Sequence, residues 1–466
     1  MRLPPSPRFK RHLLAMAAFA LLASGCAVGP TYQRPSAATP VAYKEAQNWV
    51  PAAPADALER GPWWQLFDDP VLNELAAGID ISNQNIAAAS AAYAQARALV
   101  REQRASLFPV ITLNGSADRS GSGSSSSRSG NTFQTSIGGS WEPDVWGRLS
   151  RGVDSASASA QASAADLASA RLSAQGELAT NYFSIRQTDA QQALLASTID
   201  GYLRTLQITQ NRYAAGIAAK TDVLQAQTQL ANAQAEALGL ERQRAQLEHA
   251  IAVLLGRAPA DFALAATPWK ASVPEVPLGV PSTLLQRRPD IAAAERRVAV
   301  ANEQIGIAQS AFYPSINLNA SYGFGASRVS DLFNASSSLW SLGLSAAQVL
   351  FNAGATRERA AGAQAAQDAA VARYRQIALV AFQDVEDQLA GTRVLLQQQD
   401  LLRQASQAAD EAETQMLNRY RAGQVSYTEV VTAQASALNA RRALVKLQAD
   451  RQTTAVALIQ ALGGGW

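Results

Sequence analysis

At 466 residues the chain has room for two to four domains, and its charged residues make up only 17%, below the roughly 25% usual in soluble domains. Four cations, Arg2, Arg8, Lys10 and Arg11, precede Leu13, so of the formal net charge of +3 the remainder keeps −1. That near-neutrality withholds the electrostatic support a nucleic-acid partner needs, and a single cysteine excludes a disulfide framework.

The four cations lead into an apolar run, Leu13 to Leu22, which ends in Ala23-Ser24-Gly25-Cys26. A basic region, a short apolar stretch and small residues before a cut describe an export signal, and the run is too short to span a membrane as a helix. The stretch resembles a bacterial lipoprotein signal, which implies removal of residues 1–25 and diacylglycerol and fatty acyl groups, palmitate among them, on Cys26. It departs from that pattern in one place: Ala23 stands where Leu is usual, with Leu22 one position earlier. Ala27 after the cysteine implies sorting to the outer membrane. Several acyl chains together anchor stably where one would not.

Residues 26–62, rich in Pro and Ala, read as a lipid-anchored tether. Trp63-Trp64-Gln65-Leu66-Phe67-Asp68-Asp69-Pro70 follows, either a packed helix entry or a ligand platform. Pro at the first turn behind an acidic residue starts a helix that runs to about Ser106, with a break near Gly78 to Ser82. Pro109 ends it, and the hydrophobic period falls to two. Ile111, Leu113, Gly115 and Ala117 alternate with polar residues, and after a Ser/Gly tract so do Phe133, Thr135, Ile137, Gly139 and Trp141. Strands of about ten residues suit a tilted membrane crossing, although a soluble hairpin alternates in the same way. From about 150 to 212 no proline occurs, and sixty helical residues extend roughly 90 Å, so such a helix must lie against neighbours. An Ala-rich coiled-coil rod is the alternative, but sustained Leu or Ile at a and d positions is missing.

The stretch Asn211-Arg212-Tyr213-Ala214-Ala215-Gly216, then Thr221-Asp222-Val223, organises the chain, because it returns as Asn418-Arg419-Tyr420-Arg421-Ala422-Gly423, then Thr428-Glu429-Val430. The offset of 207 holds without a gap to Gly256 and Gly463, and earlier an offset of 205 relates Phe108-Pro109 to Tyr313-Pro314. The chain is therefore one unit written twice, 63–257 and 282–466, joined by a Pro-containing connector at 258–281. The second copy repeats both strands, at Ile316 to Phe324 and Trp340 to Ala346, and the long helix at about 356–419. Gly216 and Gly423 sit where a C-terminal helix cap belongs, so each motif is the tip of a helical hairpin. Four strands per chain cannot close a barrel in lipid, so copies must associate, and three would supply twelve strands.

The doubled hairpin, the two Arg-Tyr-x-x-Gly tips, Arg287-Arg288-Pro289-Asp290-Ile291, the start Cys26-Ala27-Val28-Gly29-Pro30-Thr31-Tyr32 and the ending Ala461-Leu462-Gly463-Gly464-Gly465-Trp466 resemble the TolC family of outer-membrane factors, in its OprM/NodT-type lipoprotein branch. The resemblance implies an α+β membrane protein: a homotrimeric twelve-stranded β-barrel, four strands per chain, continued by a long α-helical periplasmic barrel. It implies a passive exit duct for drugs or other small solutes, docked at the tips, Gly216 and Gly423, to a periplasmic adaptor (membrane fusion protein) and through it to an inner-membrane pump, usually an RND transporter. In that family acidic or apolar side chains close the second-repeat tips. Glu429 matches one such aspartate; Thr432 stands where a second is common; Tyr420 and Asp222 complete the gate candidates. Three Glu429 carboxylates around one axis would repel and favour cations. Alternatively Glu429 and Asp222 simply cap helix starts.

Two other functions suit the same pattern: the outer-membrane duct of an ATP-driven type I secretion system, and a lipid-anchored periplasmic scaffold. Catalysis is not expected. His249 reads as a solvated or interfacial histidine, and Asp384, Glu386 and Asp387 as a helix face rather than an acid/base pair. No metal or cofactor motif occurs.

Overall fold

The computed structural model describes residues 28–37, 40, 43–45, 62–121, 130–270, 272–274 and 287–464. Seven helices and four strands follow in duplicate order: α1 Pro70–Ser82, α2 Gln84–Ala105, β1 Val110–Ser120, β2 Gly130–Trp141, α3 Arg148–Ala214 and α4 Lys220–Leu254, then α5 Pro289–Ser310, β3 Ser315–Ala326, β4 Ser338–Ala347, α6 Ala355–Arg421 and α7 Tyr427–Ala461. The chain divides into two compact units. The first comprises residues 28–37, 92–164 and 293–375, and the second residues 62–91, 165–270, 272–274, 287–292 and 376–464 with a few described positions before them.

The first unit holds the sheet, a strictly antiparallel meander in the order β1-β2-β3-β4. Its register puts Leu113 opposite Ile137, Ile137 opposite Tyr322, and Tyr322 opposite Trp340. Because successive side chains alternate, one face collects Leu113, Ile137, Leu318, Tyr322, Leu342 and Leu344. The other collects Asn114, Ser136, Asn319, Ser321, Ser341 and Ser345. Below the strands, Trp146 stacks on Tyr313 at 4.8 Å and donates from Nε1 to the Pro314 carbonyl at 2.7 Å. Arg151 pairs with Glu303 at 2.7 Å and also donates to the Pro30 carbonyl, which ties the amino-terminal segment down.

The second unit contains the main apolar core. Trp63, Trp64, Phe67, Leu72, Ile79, Tyr182, Phe183 and Ile459 form one buried cluster, so the paired tryptophans are a packed helix entry. Asp69 starts α1 by accepting from the N–H of Val71 and Leu72. The expected break falls at Asn83, whose extended backbone (ψ 123°) stops α1 and whose Oδ1 caps α2 at Asn85 and Ile86. The described part of the connector, residues 258–270 and 272–274, is held by hydrogen bonds from the helices. Arg186 donates to the Ala265 carbonyl, Arg244 to that of Leu264, and Gln452 to those of Lys270 and Ser272. Such bonds contribute about 1 kcal/mol each from the neutral amide of Gln452 and about 1.5–3 kcal/mol each from a charged guanidinium.

Four tyrosines in this unit, Tyr43, Tyr182, Tyr202 and Tyr427, have hydroxyl pKa values raised above the ordinary phenol value, chiefly by burial. Tyr182 also donates to the Asp69 carboxylate at 2.6 Å, which would repel a phenolate. In the unfolded chain a tyrosine ionises near pH ~10. The stability these protons supply is therefore complete below that pH and falls as pH rises above it. Helical circular dichroism should show a melting temperature that drops between pH 9 and pH 11. The drop should be smaller in Tyr182→Phe; equal drops would remove this residue from the account.

Candidate channel strands and hairpin tips

Both hairpins turn by the same device. At the end of α3 the Gly216 N–H donates to the Tyr213 carbonyl (2.9 Å) and the Ile217 N–H to that of Arg212 (2.8 Å); at the end of α6 Gly423 and Gln424 do the same to Tyr420 and Arg419 (2.9 Å each). Both glycines have φ 76°, a left-handed conformation that a Cβ would strain. The helix starts that follow are not side-chain capped: Ala219 and Ser426 occupy the cap positions without a cap bond. Capping by Asp222 or Glu429 is thereby corrected. Both carboxylates lie in the first turn, where they still complement the helix dipole.

The candidate gate residues separate into two groups. Glu429 and Thr432 are exposed and, with Met416, Arg419 and Val425, line a groove of about 400 Å³. Thr432 also lines a second groove of about 500 Å³ with Thr221 and Gln225. Asp222 is half-buried and lines neither. Tyr420 is only 2% exposed: its ring lies 5.4 Å from that of Tyr427 and its hydroxyl reaches Thr209 at 3.3 Å. Tyr420 is thus a packed strut of the tip.

What packs it was not visible as a motif. Arg212 lies over the Tyr420 ring at 4.8 Å and donates to the Tyr420 and Arg421 carbonyls. Further back, Arg441 of α7 grips Asp410 and Glu413 of α6, while its neighbour Arg442 pairs with Glu236 of α4. Two adjacent arginines therefore tie one helix to two others. The Arg287-Arg288-Pro289-Asp290 motif has a similar structural task. Arg288 bonds Asp290, Asp384 and the Ala461 carbonyl; burial alone would lower its pKa, but the Asp290 and Asp384 carboxylates outweigh that and raise it. Under the internal offsets this reproduces Asn83 donating to the Leu254 carbonyl at 2.7 Å.

Asp384 is thus an ion-pair partner, and Glu386 accepts the backbone N–H groups of Lys44 and Glu45. His249 is exposed. Among the described residues no His, Cys, Asp and Glu cluster could hold a metal, and no helix is long and apolar enough to cross a membrane. Cys26 and the terminal Gly465-Trp466 lie outside the described residues.

Two helical hairpins with glycine-turned tips and a four-stranded sheet with one apolar and one polar face define the class: a channel chain with a strand section suited to the bilayer. The model of the outer membrane efflux protein family matches residues 79–257 and 280–464, and the chain belongs to that family. Along 98% of its length it is 31% identical to the probable efflux pump outer membrane protein TtgC of Pseudomonas putida, of which the match covers 96%. It is 30% identical to outer membrane protein OprJ of Pseudomonas aeruginosa, over 96% of this chain and 94% of that one. The solved outer-membrane channel OprN superposes with a TM-score of 0.87 at 30% identity, covering 95% of this chain and all of OprN. The chain is thus a bacterial outer-membrane efflux channel of the TolC-like fold, and the members of this family are not enzymes.

Proposed function

We propose that this chain forms, as a homotrimer, the passive exit duct of a tripartite efflux pump for drugs or other small solutes. The observation that carries the reading is the two-faced sheet with both edges open. Among the described residues neither β1 nor β4 has an outer partner, and such edges are not tolerated in lipid. Val349, Leu350 and Phe351, directly after β4, are 62%, 90% and 88% exposed, a surface that a neighbouring copy would cover. Three copies joined β4 to β1 give twelve strands with apolar residues outward and hydroxyls and amides inward. The resemblance to the lipoprotein branch supports acylation of Cys26 as the anchor.

Gly216 and Gly423 are exposed at the tips, as docking to a periplasmic adaptor requires, and the adaptor would link the duct to an RND transporter. Glu429 and Thr432, exposed on the second tip, are the residues for the gate; Tyr420 and half-buried Asp222 would act by holding that tip in shape.

Purified protein in planar bilayers should form cation-preferring channels, and Glu429→Gln should move the reversal potential in a salt gradient toward zero. Absence of conductance would sink the duct; conductance with unchanged selectivity would remove only the Glu429 ring. Photo-crosslinkers at Ile217 and Gln424 should capture an adaptor that partners a proton-driven transporter. Capture of one that serves an ATP-driven exporter would reassign the duct to secretion.

A further inference from the structure

The two tips are congruent in backbone but unequal in partners. Arg212 holds the second tip of its own chain: its guanidinium covers the Tyr420 ring at 4.8 Å, and Nη1 donates to the carbonyls of Tyr420 (3.0 Å) and Arg421 (3.1 Å). Under the offset of 207, Arg212 answers to Arg419, Tyr420 to Tyr213 and Arg421 to Ala214. Arg419 is exposed and, among the described residues, its guanidinium has no hydrogen-bond or ion-pair partner, while its carbonyl accepts from the Gln424 N–H. Tyr213 is 47% exposed where Tyr420 is 2% exposed. The chain therefore carries one completed clasp and the two separated halves of another.

We propose that Arg419 grips the Tyr213–Ala214 end of α3 in a neighbouring copy of this chain, as Arg212 grips Tyr420–Arg421 within its own. The occupant is fixed by the internal duplication. The structure that Arg419 needs, a tyrosine face above two adjacent helix-end carbonyls, is the one its counterpart already holds, and a second copy presents it with the same backbone geometry. A guanidinium suits both halves of the contact, because it stacks on an aromatic face and donates in a fixed fork. In a closed ring of copies, clasps within chains would alternate with clasps between chains, so every tip would be tied to both neighbours. The inference rests on the homo-oligomeric reading above.

Paired cysteines test it in the assembled protein, in which Cys26 is the one native thiol position. Under mild oxidation or a short bis-maleimide, Arg419→Cys with Tyr213→Cys should convert most chains into covalent dimers and trimers on denaturing gels. Arg212→Cys with Tyr420→Cys should crosslink within the monomer band. Native mass spectrometry of both variants reports assembly independently. A native trimer whose Arg419→Cys/Tyr213→Cys form stays monomeric on the gel, while the control pair reacts, overturns the clasp and leaves the duct standing. A native monomer overturns the oligomeric reading and the clasp together. As a second readout, Arg419→Ala should lower the temperature at which the trimer dissociates, and Arg419→Lys should not restore it; full restoration by Lys would overturn the stacked, forked geometry.

Discussion

Leu342→Arg should abolish assembly in the outer membrane, while Ser341→Arg, one residue away, should assemble and conduct. Leu342 faces Ala320 across the strands, on the side that carries Leu318 and Leu344; Ser341 faces Ser321 on the other side, with their hydroxyls 2.9 Å apart. A guanidinium on the lipid face costs about 2–4 kcal/mol near the bilayer midplane. In a trimer that cost is incurred three times. Arginine at Ser341 loses one hydroxyl pair and adds a cation to the polar side, so its effect should appear as reduced cation conductance. The readouts are heat-modifiable migration of the trimer and bilayer recording. Equal tolerance of both substitutions would mean that neither face meets lipid, which is the outcome a periplasmic scaffold requires.

The second large effect is expected at a turn. Gly256→Val should unfold or misassemble the protein, and Gly256→Ala should already destabilise it by about 3 kcal/mol, combining left-handed strain of roughly 1–2 kcal/mol with overpacking of about 1–3 kcal/mol. The residue has φ 63°, and a Cβ there would stand 2.2 Å from the Ser82 carbonyl oxygen, a backbone atom that cannot swing away. Its counterpart Gly463 has φ 91°, with the Arg287 carbonyl 3.1 Å from the same hypothetical atom. Chemical denaturation followed by helical circular dichroism measures the loss. Gly216→Ala makes a useful contrast: it carries the strain of φ 76° with open space around the Cβ, so it should cost only the conformational part. Similar losses at both positions would show that the close approach to Ser82 contributes nothing.

Much of this architecture was legible because the sequence states it twice. The glycines of the tips and helix ends recur at a fixed offset, each required by a left-handed turn, and the strands announce themselves by alternation. The break in the first helix was expected near Gly78 to Ser82 and occurs at Asn83, one residue beyond, because an asparagine side chain can cap the next helix as it leaves the last. The connector was less legible. Its prolines marked it as a link between the repeats, but Arg186 and Ala265 meet across 79 residues of sequence, and no local pattern encodes such a bond.

At the tips the family motif brought Tyr420 into view as a gate candidate without revealing its burial. That depends on Arg212, 208 residues away in sequence, and on Tyr427 in the next helix. The equivalence of Asn83 and Arg288 was hidden for a different reason. Two unlike side chains do one job, and only the carbonyls they hold, Leu254 and Ala461, reveal it.

The polar side of the sheet has a consequence for transport. Between Asn114 and Ser345 its side chains are chiefly hydroxyls, amides and the bare backbone of glycine, each able to exchange partners with water at little cost. A solute passing such a wall keeps its hydration shell and meets a nearly level energy profile. The strand section would then behave as confined electrolyte: flux would follow the gradient imposed upstream, and the duct would neither choose its cargo nor retain it.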